Sequence, residues 1–456
     1  MRRSKSVEEL SWFAIAQARK STSNLSKPRE FKSGVITGRI TKVHAREILD
    51  SRGNPTLQAE VHTRGGFGSA CAPSGASTGS HEALELRDNE KRYFGKGARK
   101  AAKNVNTRIA KALCGMDVSS QKAIDKKLCA LDGTKSKSSL GANATVAVSL
   151  AAARCAADES GAGLYRLLGK KVLPAPMMNV INGGKHAQSG VALQEFMVFP
   201  LGFGTFSEAL CAGAEVYHAL RALVGKKYGG IATAVGDEGG FAPPCRTTED
   251  ALCLLEEAIS ECGYSKQVKL AIDAAASSFY DPKSGLYHVD GKAISAGELT
   301  DFYASLCRSH PIASLEDPFE EEAFADFALL RRRLSGKVQL VGDDLTVTSL
   351  GRLSRAYKEG SISALLLKVN QVGTLTEALE AASFCQKHGL GVVVSHRSGE
   401  TCDSSIADIA VGIGCGQIKA GAPCRGERVA KYNRLLEIEE ELSGKGFAGA
   451  SCLRFG

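Results

Sequence analysis

The period of the apolar and polar residues changes near residue 174. Beyond that point, short apolar runs alternate with helical stretches such as residues 375–388. The clearest runs are largely apolar and several are rich in β-branched residues; they are residues 268–273, 312–317, 338–344, 364–370, 391–397 and 417–421. Strand-like runs that alternate with helices predict successive β/α units. We therefore expect residues 174–445 to form a parallel β/α barrel.

A charged or polar residue stands at or near the end of each run. These residues follow one another at intervals of 43, 27, 25, 28 and 23 positions, and they are Asp273, Glu316, Asp343, Lys368, His396 and Lys419. In a parallel barrel the carboxyl ends of the strands meet at one rim, where the functional loops lie. One such residue could simply be solvated or cap the next helix. Six such residues at the ends of six successive predicted strands indicate that they line one pocket.

Residues 38–170 have a different pattern. A strand-like hairpin over residues 42–61 turns at Ser51-Arg52-Gly53-Asn54-Pro55. Alanine-rich helical stretches follow near residues 98–114 and 142–158. The predicted fold class is therefore α/β, with the β/α barrel preceded by this smaller α+β domain.

Residues 1–36 are predicted to be an N-terminal extension outside both domains. They hold eight basic and three acidic side chains, and Ser6 and Glu9 have the spacing of a capping box. A short helix is marginal alone in water, so we expect the extension to be mobile and dispensable for chemistry. Arginine and serine near the start are also typical of a transit peptide, although Glu8 and Glu9 are unusual in one. We expect a cytoplasmic location, with an organelle as the alternative.

Composition and charge argue against several classes of protein. The formal net charge is +9, of which residues 1–36 carry +5; the remaining +4 (9 − 5) is too little to indicate nucleic-acid binding. No run reaches the ~18 apolar residues of a membrane helix, so no membrane partner is expected. The fourteen cysteines include no C-x-x-C pair, which argues against a zinc or redox motif and favours reduced thiols.

Three carboxylates at neighbouring strand ends indicate a metal site. Asp273, Glu316 and Asp343 would repel one another unless a cation lay between them. Oxygen ligands without histidine or cysteine favour magnesium over zinc or copper. Barrel carboxylates that only form salt bridges are the alternative, and the second acid in Asp343-Asp344 leaves the choice of ligand open.

Lys368 is the candidate general base because it lies inside an apolar strand. Neighbouring cations, such as Lys419 or a metal, are expected to lower its pKa. A lone lysine at a strand end usually reaches solvent, but the carboxylates on adjacent strands favour the functional interpretation. Glu195 and Glu238 are further acids near the start of the barrel, and glycines around Glu238 would let the backbone approach a ligand closely.

Two segments suggest a phosphate site. Arg397 and Ser398 follow His396, and a guanidinium group binds phosphate in a bidentate way. The glycine- and serine-rich residues 73–79, which include Ser77, have the composition of a loop that closes over a phosphorylated substrate. Such stretches are commonly plain turns, so this loop carries little weight alone.

These segments together resemble the enolase family over residues 38–440. The matches occur in order along the chain, at Asp50-Ser51-Arg52-Gly53-Asn54-Pro55-Thr56, Ser74-Gly75-Ala76-Ser77-Thr78-Gly79, Asn182-Gly183-Gly184-Lys185-His186-Ala187, Gln194-Glu195-Phe196-Met197, Val235-Gly236-Asp237-Glu238-Gly239-Gly240, Glu316-Asp317-Pro318-Phe319, Val341-Gly342-Asp343-Asp344-Leu345, Leu367-Lys368-Val369-Asn370-Gln371, Ser395-His396-Arg397-Ser398-Gly399-Glu400-Thr401 and Ile418-Lys419-Ala420-Gly421-Ala422-Pro423. So many ordered matches are far more specific than any single motif.

The resemblance implies a reversible lyase reaction of glycolysis and gluconeogenesis. In it, 2-phosphoglycerate loses water and becomes phosphoenolpyruvate. Lys368 would accept the α-proton, and Glu238 would donate a proton to the departing hydroxyl. An α-proton beside an ionised carboxylate is very weakly acidic, so cations must stabilise the charge that develops. A lysine base used together with magnesium is a known pattern of the enolase superfamily.

The resemblance also implies the other residues of the site. Two Mg²⁺ ions per active site would be held, the first by Asp273, Glu316 and Asp343 and the second through Ser77. Glu195 and His396 would assist catalysis. The residues implied to bind substrate are His186, Glu195, Glu316, Asp343, Lys368, Ser395, His396, Arg397, Ser398 and Lys419.

A homodimer is implied as well. Arg46 and Glu215 match one charged pair across the family's dimer interface, whereas Gln58 and Glu437 replace a glutamate and an arginine that form the other. We therefore expect a dimer weaker than those of most relatives. Further departures from the family pattern are Cys402, Ser278 and Gly414-Cys415.

Two other functions stay open at the level of sequence. A related acid-sugar dehydratase or racemase would share the metal carboxylates, but its substrates lack the phosphate that Arg397 and Ser398 predict. An enolase-like protein kept as a binding partner would retain the fold with little turnover. Turnover of 2-phosphoglycerate with magnesium distinguishes all three possibilities.

Overall fold

The computed structural model describes residues 38–76, 79–184 and 190–455. The predicted extension, residues 1–36, lies outside this part of the chain, as do Ser77 and His186. The architecture is a closed eight-stranded barrel preceded by a small domain built on a three-stranded sheet. The predicted fold class is therefore confirmed.

The first domain begins with an antiparallel sheet of β1 (Lys42–Leu49), β2 (Pro55–His62) and β3 (Phe67–Cys71). The predicted hairpin corresponds to β1 and β2. Its turn is held by Asp50, whose Oδ1 accepts hydrogen bonds from the backbone N–H groups of Arg52 at 2.9 Å and Asn54 at 2.8 Å. The third strand was not predicted.

The longest helix of this domain, Ala142–Glu159, packs on β2 and β3, and the other helices lie around it and the sheet. The helices span Arg99–Asn104, Val105–Ile109 (a π-helical turn), Ala110–Leu113, Gln121–Asp132, Ala142–Glu159 and Leu164–Leu168, after a 3₁₀ turn at Arg92–Gly95. A Cβ atom at Gly68 would lie 2.1 Å from the carbonyl oxygen of Ala151, so this glycine allows β3 to pack directly on the longest helix.

The predicted helix over residues 98–114 is one helical stretch interrupted by the π-helical turn. Asn106, inside that turn, bonds to both backbone groups of Ala45: its Oδ1 accepts from the N–H at 2.7 Å, and its Nδ2 donates to the carbonyl at 2.9 Å. The turn therefore coincides with a side-chain anchor to β1, which a helical period alone does not reveal.

The remaining strands form the barrel and one small antiparallel sheet. In chain order they are β4 (Ala175–Asn182), β5 (Glu195–Pro200), β6 (Val268–Asp273), β7 (Tyr280–Asp281), β8 (Leu286–Val289), β9 (Lys292–Ile294), β10 (Ile312–Glu316), β11 (Gln339–Gly342), β12 (Ala364–Leu367), β13 (Gly391–Ser395) and β14 (Gly416–Lys419). The barrel order is β10-β11-β12-β13-β14-β4-β5-β6, and β7, β8 and β9 form the separate sheet. All six predicted strands are present in the barrel.

One strand of the barrel departs from the parallel arrangement that successive β/α units indicate. β5 runs antiparallel to both β4 and β6, whereas the other neighbouring pairs are parallel. Only residues 183–194 join β4 to β5, and a parallel pair usually needs a crossover containing a helix. Because β5 is reversed, its first residue, Glu195, lies at the same rim as Asp273, the last residue of β6, with which it is paired.

The barrel helices begin at clear sequence signals. Capping boxes at Thr205, Thr247 and Ser295 start three of them. The helices span Phe206–Tyr228, Thr248–Glu261, Ala296–Ser309, Phe324–Arg333, Leu350–Glu359, Val369–Val372, Leu375–Lys387, Ser405–Ile413 and Gly426–Glu441, with 3₁₀ turns at Gly230–Thr233, Ala276–Ser278 and Gly449–Cys452. Over residues 38–76, 79–184 and 190–455, no helix is long and apolar enough to cross a membrane.

The fourteen cysteines all lie in described residues, and all are free thiols in the structure. Several are buried in apolar surroundings, where burial raises the thiol pKa; the pKa of Cys385 is raised to about 12. Such buried thiols are packing residues rather than reactive groups.

Candidate active site

A cleft lies at the rim where the parallel strands of the barrel end and β5 begins. Its walls contain Gln194, Glu195, Glu238, Asp273, Ala275, Asp317, Asp343, Asp344, Lys368, Ser395, His396, Arg397, Ser398 and Lys419. Most of the candidate residues from the sequence are therefore brought together. Gln194, Ala275 and Asp317 were not singled out as site residues, and Asp344 was named only as the acid that left the choice of metal ligand open. Ser77 and His186 lie outside the described part of the chain.

Lys419 links three carboxylates on one side of the cleft. Its Nζ lies 2.9 Å from Asp273 Oδ2, 3.0 Å from Glu316 Oε1 and 3.1 Å from Glu195 Oε2. The ion pair with Lys419 places Glu316 next to the residues that line the cleft. Burial, together with the neighbouring acids, raises the pKa of Glu195 and of Glu316 well above the ordinary value. One ammonium group thus faces three acidic groups, and burial and mutual repulsion oppose the ionisation of all three at once.

Asp343 and Lys368 form a buried ion pair on the other side. Gln371 Nε2 also donates to Asp343 Oδ1 at 2.8 Å. Burial opposes ionisation of both groups, but their mutual attraction outweighs it, so the pKa of Asp343 is lowered and that of Lys368 is raised. The expected lowering of the Lys368 pKa is therefore not found, because Asp343 stabilises the charged ammonium.

A second group of acids lies next to this ion pair. Carboxylate oxygens of Asp317, Asp343 and Asp344 come within 4.8 Å of one another. Asp317, at a positive φ of 40°, accepts hydrogen bonds from the backbone N–H of Asp343 at 2.9 Å and of Asp344 at 2.7 Å. Burial and the neighbouring charges raise the pKa of Asp317 well above its usual range and that of Asp344 to about 7. Asp317 therefore orients the loop that carries Asp343.

The donor set fits a hard divalent cation. Asp273 and Asp343 both raise the pKa of Glu316, so the three predicted metal ligands are close enough to interact. All their donor atoms are carboxyl oxygens, which magnesium prefers, and such an ion would offset the repulsion among the ionised groups. Asp317 is directed at backbone N–H groups, which makes it a supporting residue for the loop.

Glu238 and His396 face each other across the cleft. His396 Nε2 lies 3.4 Å from Glu238 Oε2, and Asn179 Nδ2 donates to the same oxygen at 3.1 Å. Arg428 Nη1 lies 2.7 Å from His396 Nδ1. Because a guanidinium group only donates, Nδ1 must accept and the ring proton lies on Nε2, facing Glu238. Burial lowers the pKa of His396 to about 4.

Arg428 was missed by the sequence analysis. It is fully buried on the Gly426–Glu441 helix. Besides His396, it donates to the backbone carbonyls of Arg397 at 2.6 Å, Ser398 at 2.5 Å and Asp237 at 3.0 Å. One side chain therefore ties the loop of Glu238 to the loop of Arg397. Nothing in the local sequence around Arg428 signals this role, since its acceptors come from distant segments.

The candidate phosphate site centres on Arg397. Its guanidinium group bonds to Glu82 Oε2 at 2.8 Å, Glu82 Oε1 at 3.1 Å and Asn370 Oδ1 at 3.2 Å. Its backbone N–H donates to Glu400 Oε1 at 3.1 Å. Ser395 Oγ donates to the carbonyl of His396 at 3.0 Å, so this hydroxyl braces the loop. Glu82, like Arg428, was not among the candidate residues.

The N-terminal domain forms one side of this phosphate site. Ser74 and Gly399 exchange two backbone hydrogen bonds of 2.8 Å, and the N–H of Ser51 donates to the carbonyl of Glu400 at 2.7 Å. A Cβ atom at Gly399 would lie 2.5 Å from Asp50 Oδ2, so glycine is required for this close approach. The predicted loop of residues 73–79 therefore begins beside Arg397.

Comparison with known proteins gives one consistent family. Residues 40–168 match the family model described as "Enolase, N-terminal domain", and residues 170–455 match "Enolase, C-terminal TIM barrel domain". The chain is 55% identical over 412 residues to the enolase of Methanopyrus kandleri, covering 89% of this chain and 96% of that protein. It is 54% identical over 414 residues to the enolase of Methanocaldococcus jannaschii, covering 90% and 97%. It is 55% identical over 409 residues to the enolase of Methanosarcina barkeri, covering 89% and 95%.

Proposed function

The chain belongs to the enolase family, and we propose that the cleft at the rim of its barrel is the active site. It is a lyase that reversibly dehydrates 2-phosphoglycerate to phosphoenolpyruvate. The observation that carries the assignment of the site is the single cleft that contains both Lys368 and Glu238 together with Asp273, Asp343 and Arg397. The residues before position 40 lie outside both family matches.

Lys368 is the proposed base that removes the α-proton. To accept a proton its ammonium group must first lose one, and the ion pair with Asp343 opposes that loss. Asp273, Glu316 and Asp343 would hold one magnesium ion, and Ser77 would help to hold a second. Bound there, magnesium would supply positive charge to offset the negative charge that develops on the substrate carboxylate. The described carboxylates suit the first of the two magnesium ions that we propose for each active site.

Glu238 is the proposed acid that protonates the departing hydroxyl. Its Oε2 faces His396 Nε2–H and Asn179 Nδ2, which fix its position. His396 stays neutral at physiological pH because burial lowers its pKa to about 4, so it orients Glu238 without adding a positive charge. Glu195, which lies close enough to Glu238 to interact with it, would support the reaction through its contact with Lys419.

The phosphate and carboxylate groups of the substrate require separate cationic partners. Arg397 and Ser398 would hold the phosphate, and Lys419 would lie near the substrate carboxylate. Ser395 supports the backbone of His396, and His186 would contact the substrate from the segment between β4 and β5. A substrate without phosphate leaves Arg397 unused, which disfavours an acid-sugar dehydratase or a racemase.

The assay that tests the site combines turnover with matched variants. Purified chain with magnesium should convert 2-phosphoglycerate to phosphoenolpyruvate, detected by its ultraviolet absorbance. The Arg397→Lys variant should lose most of kcat/KM, whereas a control on the exposed Arg333→Lys should match the unaltered chain. Equal turnover by both variants would show that Arg397 does not bind the substrate phosphate. Absence of turnover in the unaltered chain would favour the binding-partner function.

The proposed homodimer rests on Arg46 and Glu215. Arg46 Nη1 already contacts Glu60 at 2.5 Å and Gln58 Oε1 at 2.6 Å within the chain. Glu437 likewise pairs with Arg434 of its own helix at 2.9 Å. Because Arg46 and Glu437 both form ion pairs within one subunit, they are less available for contacts with a second subunit. This supports a weak dimer. The cytoplasmic location stays a prediction.

A further inference from the structure

Glu82 covers the phosphate-binding edge of Arg397. The two side chains form a bidentate pair, with Oε2 at 2.8 Å from Nη1 and Oε1 at 3.1 Å from Nη2. Their side chains are only 6% and 2% exposed. Bidentate charge-assisted pairs of this kind are the strongest hydrogen-bonded contacts that proteins form. The guanidinium group is therefore already satisfied by an anion that belongs to the protein.

The same carboxylate connects the phosphate site to the metal carboxylates. Glu82 Oε1 also accepts hydrogen bonds from the backbone N–H of Gly79 at 3.1 Å and from Gln371 Nε2 at 3.4 Å. Gln371 in turn donates to Asp343 Oδ1 at 2.8 Å. Glu82 thus keeps Arg397 beside the cleft and contacts the residue that positions Asp343.

A phosphoryl group bound by Arg397 needs the same two N–H edges. Guanidinium binds phosphate and carboxylate with the same fork geometry, so Glu82 and the substrate phosphate compete for Nη1 and Nη2. A monoanion that replaced Glu82 would gain no more attraction than it displaced. A phosphoryl dianion carries twice the charge, and in a buried site that difference is weakly screened.

We propose that Glu82 is a positioning and specificity-determining residue, which holds Arg397 before substrate arrives and yields Nη1 and Nη2 only to a dianionic phosphoryl group. This inference rests on the proposed role of Arg397 as the phosphate-binding residue. Only a ligand with more negative charge than the Glu82 carboxylate displaces it from Arg397, so carboxylates and other monoanions do not bind at the phosphate site. The Glu82 carboxylate thus gives specificity by competing with weakly charged ligands for Arg397.

Binding of inorganic phosphate to the full chain tests the inference without turnover. Calorimetry at pH 8 in chelator should give a phosphate dissociation constant about tenfold lower for Glu82→Gln than for the unaltered chain, because the competing charge is gone. Acetate should gain a measurable affinity in the same variant. The matched control is Glu90→Gln, eight residues further along the chain, since Glu90 is exposed and pairs with Lys100 rather than with the Arg397 guanidinium; its phosphate affinity should stay unchanged.

A second variant guards against a purely structural effect. Glu82→Asp keeps the charge, so it should return the phosphate affinity to within about twofold of the unaltered chain, with equal melting temperatures as the check on folding. For 2-phosphoglycerate, Glu82→Gln should lower KM and kcat together, because product is also held more tightly. Phosphate affinity that is equal or weaker in Glu82→Gln overturns the inference, and so does a Glu82→Asp variant that behaves like Glu82→Gln. If phosphate binding follows this pattern but the unaltered chain does not turn over 2-phosphoglycerate, the proposed function fails and the inference stands.

Discussion

Arg428 Nη1 donates a 2.7 Å hydrogen bond to Nδ1 of His396, and this contact fixes which nitrogen of the imidazole carries the proton. The proton must lie on Nε2, the nitrogen that faces Glu238 at 3.4 Å. The proposed acid is thus oriented by a histidine whose tautomer is set by a buried arginine on the Gly426–Glu441 helix. Arg428 acts through His396 and is a positioning residue.

Arg428→Lys should lower kcat by about 10–100-fold while changing KM little, because one ammonium group cannot replace the four contacts of the guanidinium group. Imidazole nitrogen NMR reports the tautomer directly, and the variant should show a mixture of Nδ1–H and Nε2–H forms. The nearby Arg425→Lys is the control, since Arg425 does not contact His396. A single unchanged tautomer with reduced kcat would leave Arg428 with a structural role only.

Asp343→Asn should raise the magnesium concentration needed for half-maximal activity by about tenfold or more, because one anionic oxygen ligand is lost. The matched control is Asp301→Asn, on an exposed ion pair with Arg333. Activity should disappear in excess chelator for the unaltered chain. Full turnover under that condition would contradict the metal assignment.

The free energy of unfolding should fall as pH decreases from about 6.5 towards 4, in part because of His396. The pKa of His396 is about 4 in the folded chain, so between these pH values the unfolded chain binds a proton that the folded chain does not. The contribution is about 2 kcal/mol between pH 6.5 and pH 5. Urea unfolding in chelator should therefore show a smaller pH dependence for His396→Asn than for the unaltered chain. The exposed His288→Asn is the control, and an equal pH dependence in all three proteins would contradict the account.

The dimer of the unaltered chain should have a higher dissociation constant than the dimer of a variant in which the family's charged pair is restored. Gln58→Glu combined with Glu437→Arg re-creates that pair, so this double variant should sediment as a dimer at about tenfold lower concentration. Sedimentation velocity over a dilution series measures the difference. A monomer at micromolar concentration in both proteins would remove the dimer proposal.

Much of the barrel could be predicted because its strands end in a regular pattern. Asp273, Glu316, Asp343, Lys368, His396 and Lys419 all lie at or next to the ends of β6 and β10–β14, as the spacing indicated. The direction of β5 could not be predicted, since the period of a strand gives its exposed face and not its orientation. Reversing β5 is nevertheless what brings Glu195 to the rim beside Asp273.

The charged residues that organise the site were less predictable than those that line it. Glu82 and Arg397 are 315 residues apart in the chain, and the pair exists only through packing of the two domains. Arg428 bonds mainly to backbone carbonyls, which any sequence can supply. The pKa of Lys368 was expected to be lowered, but the direction depends on the ion pair with Asp343, which spacing alone does not establish.

The division of roles between Lys368 and Glu238 is tested most directly by exchange of the substrate α-proton with deuterated water. NMR of 2-phosphoglycerate with magnesium and each variant follows this exchange separately from the loss of water. Lys368→Ala should abolish exchange, since the base is gone, whereas Glu238→Gln should keep exchange while blocking formation of phosphoenolpyruvate. If both variants bind substrate and magnesium yet lose exchange to the same extent, the assignment of base and acid is wrong.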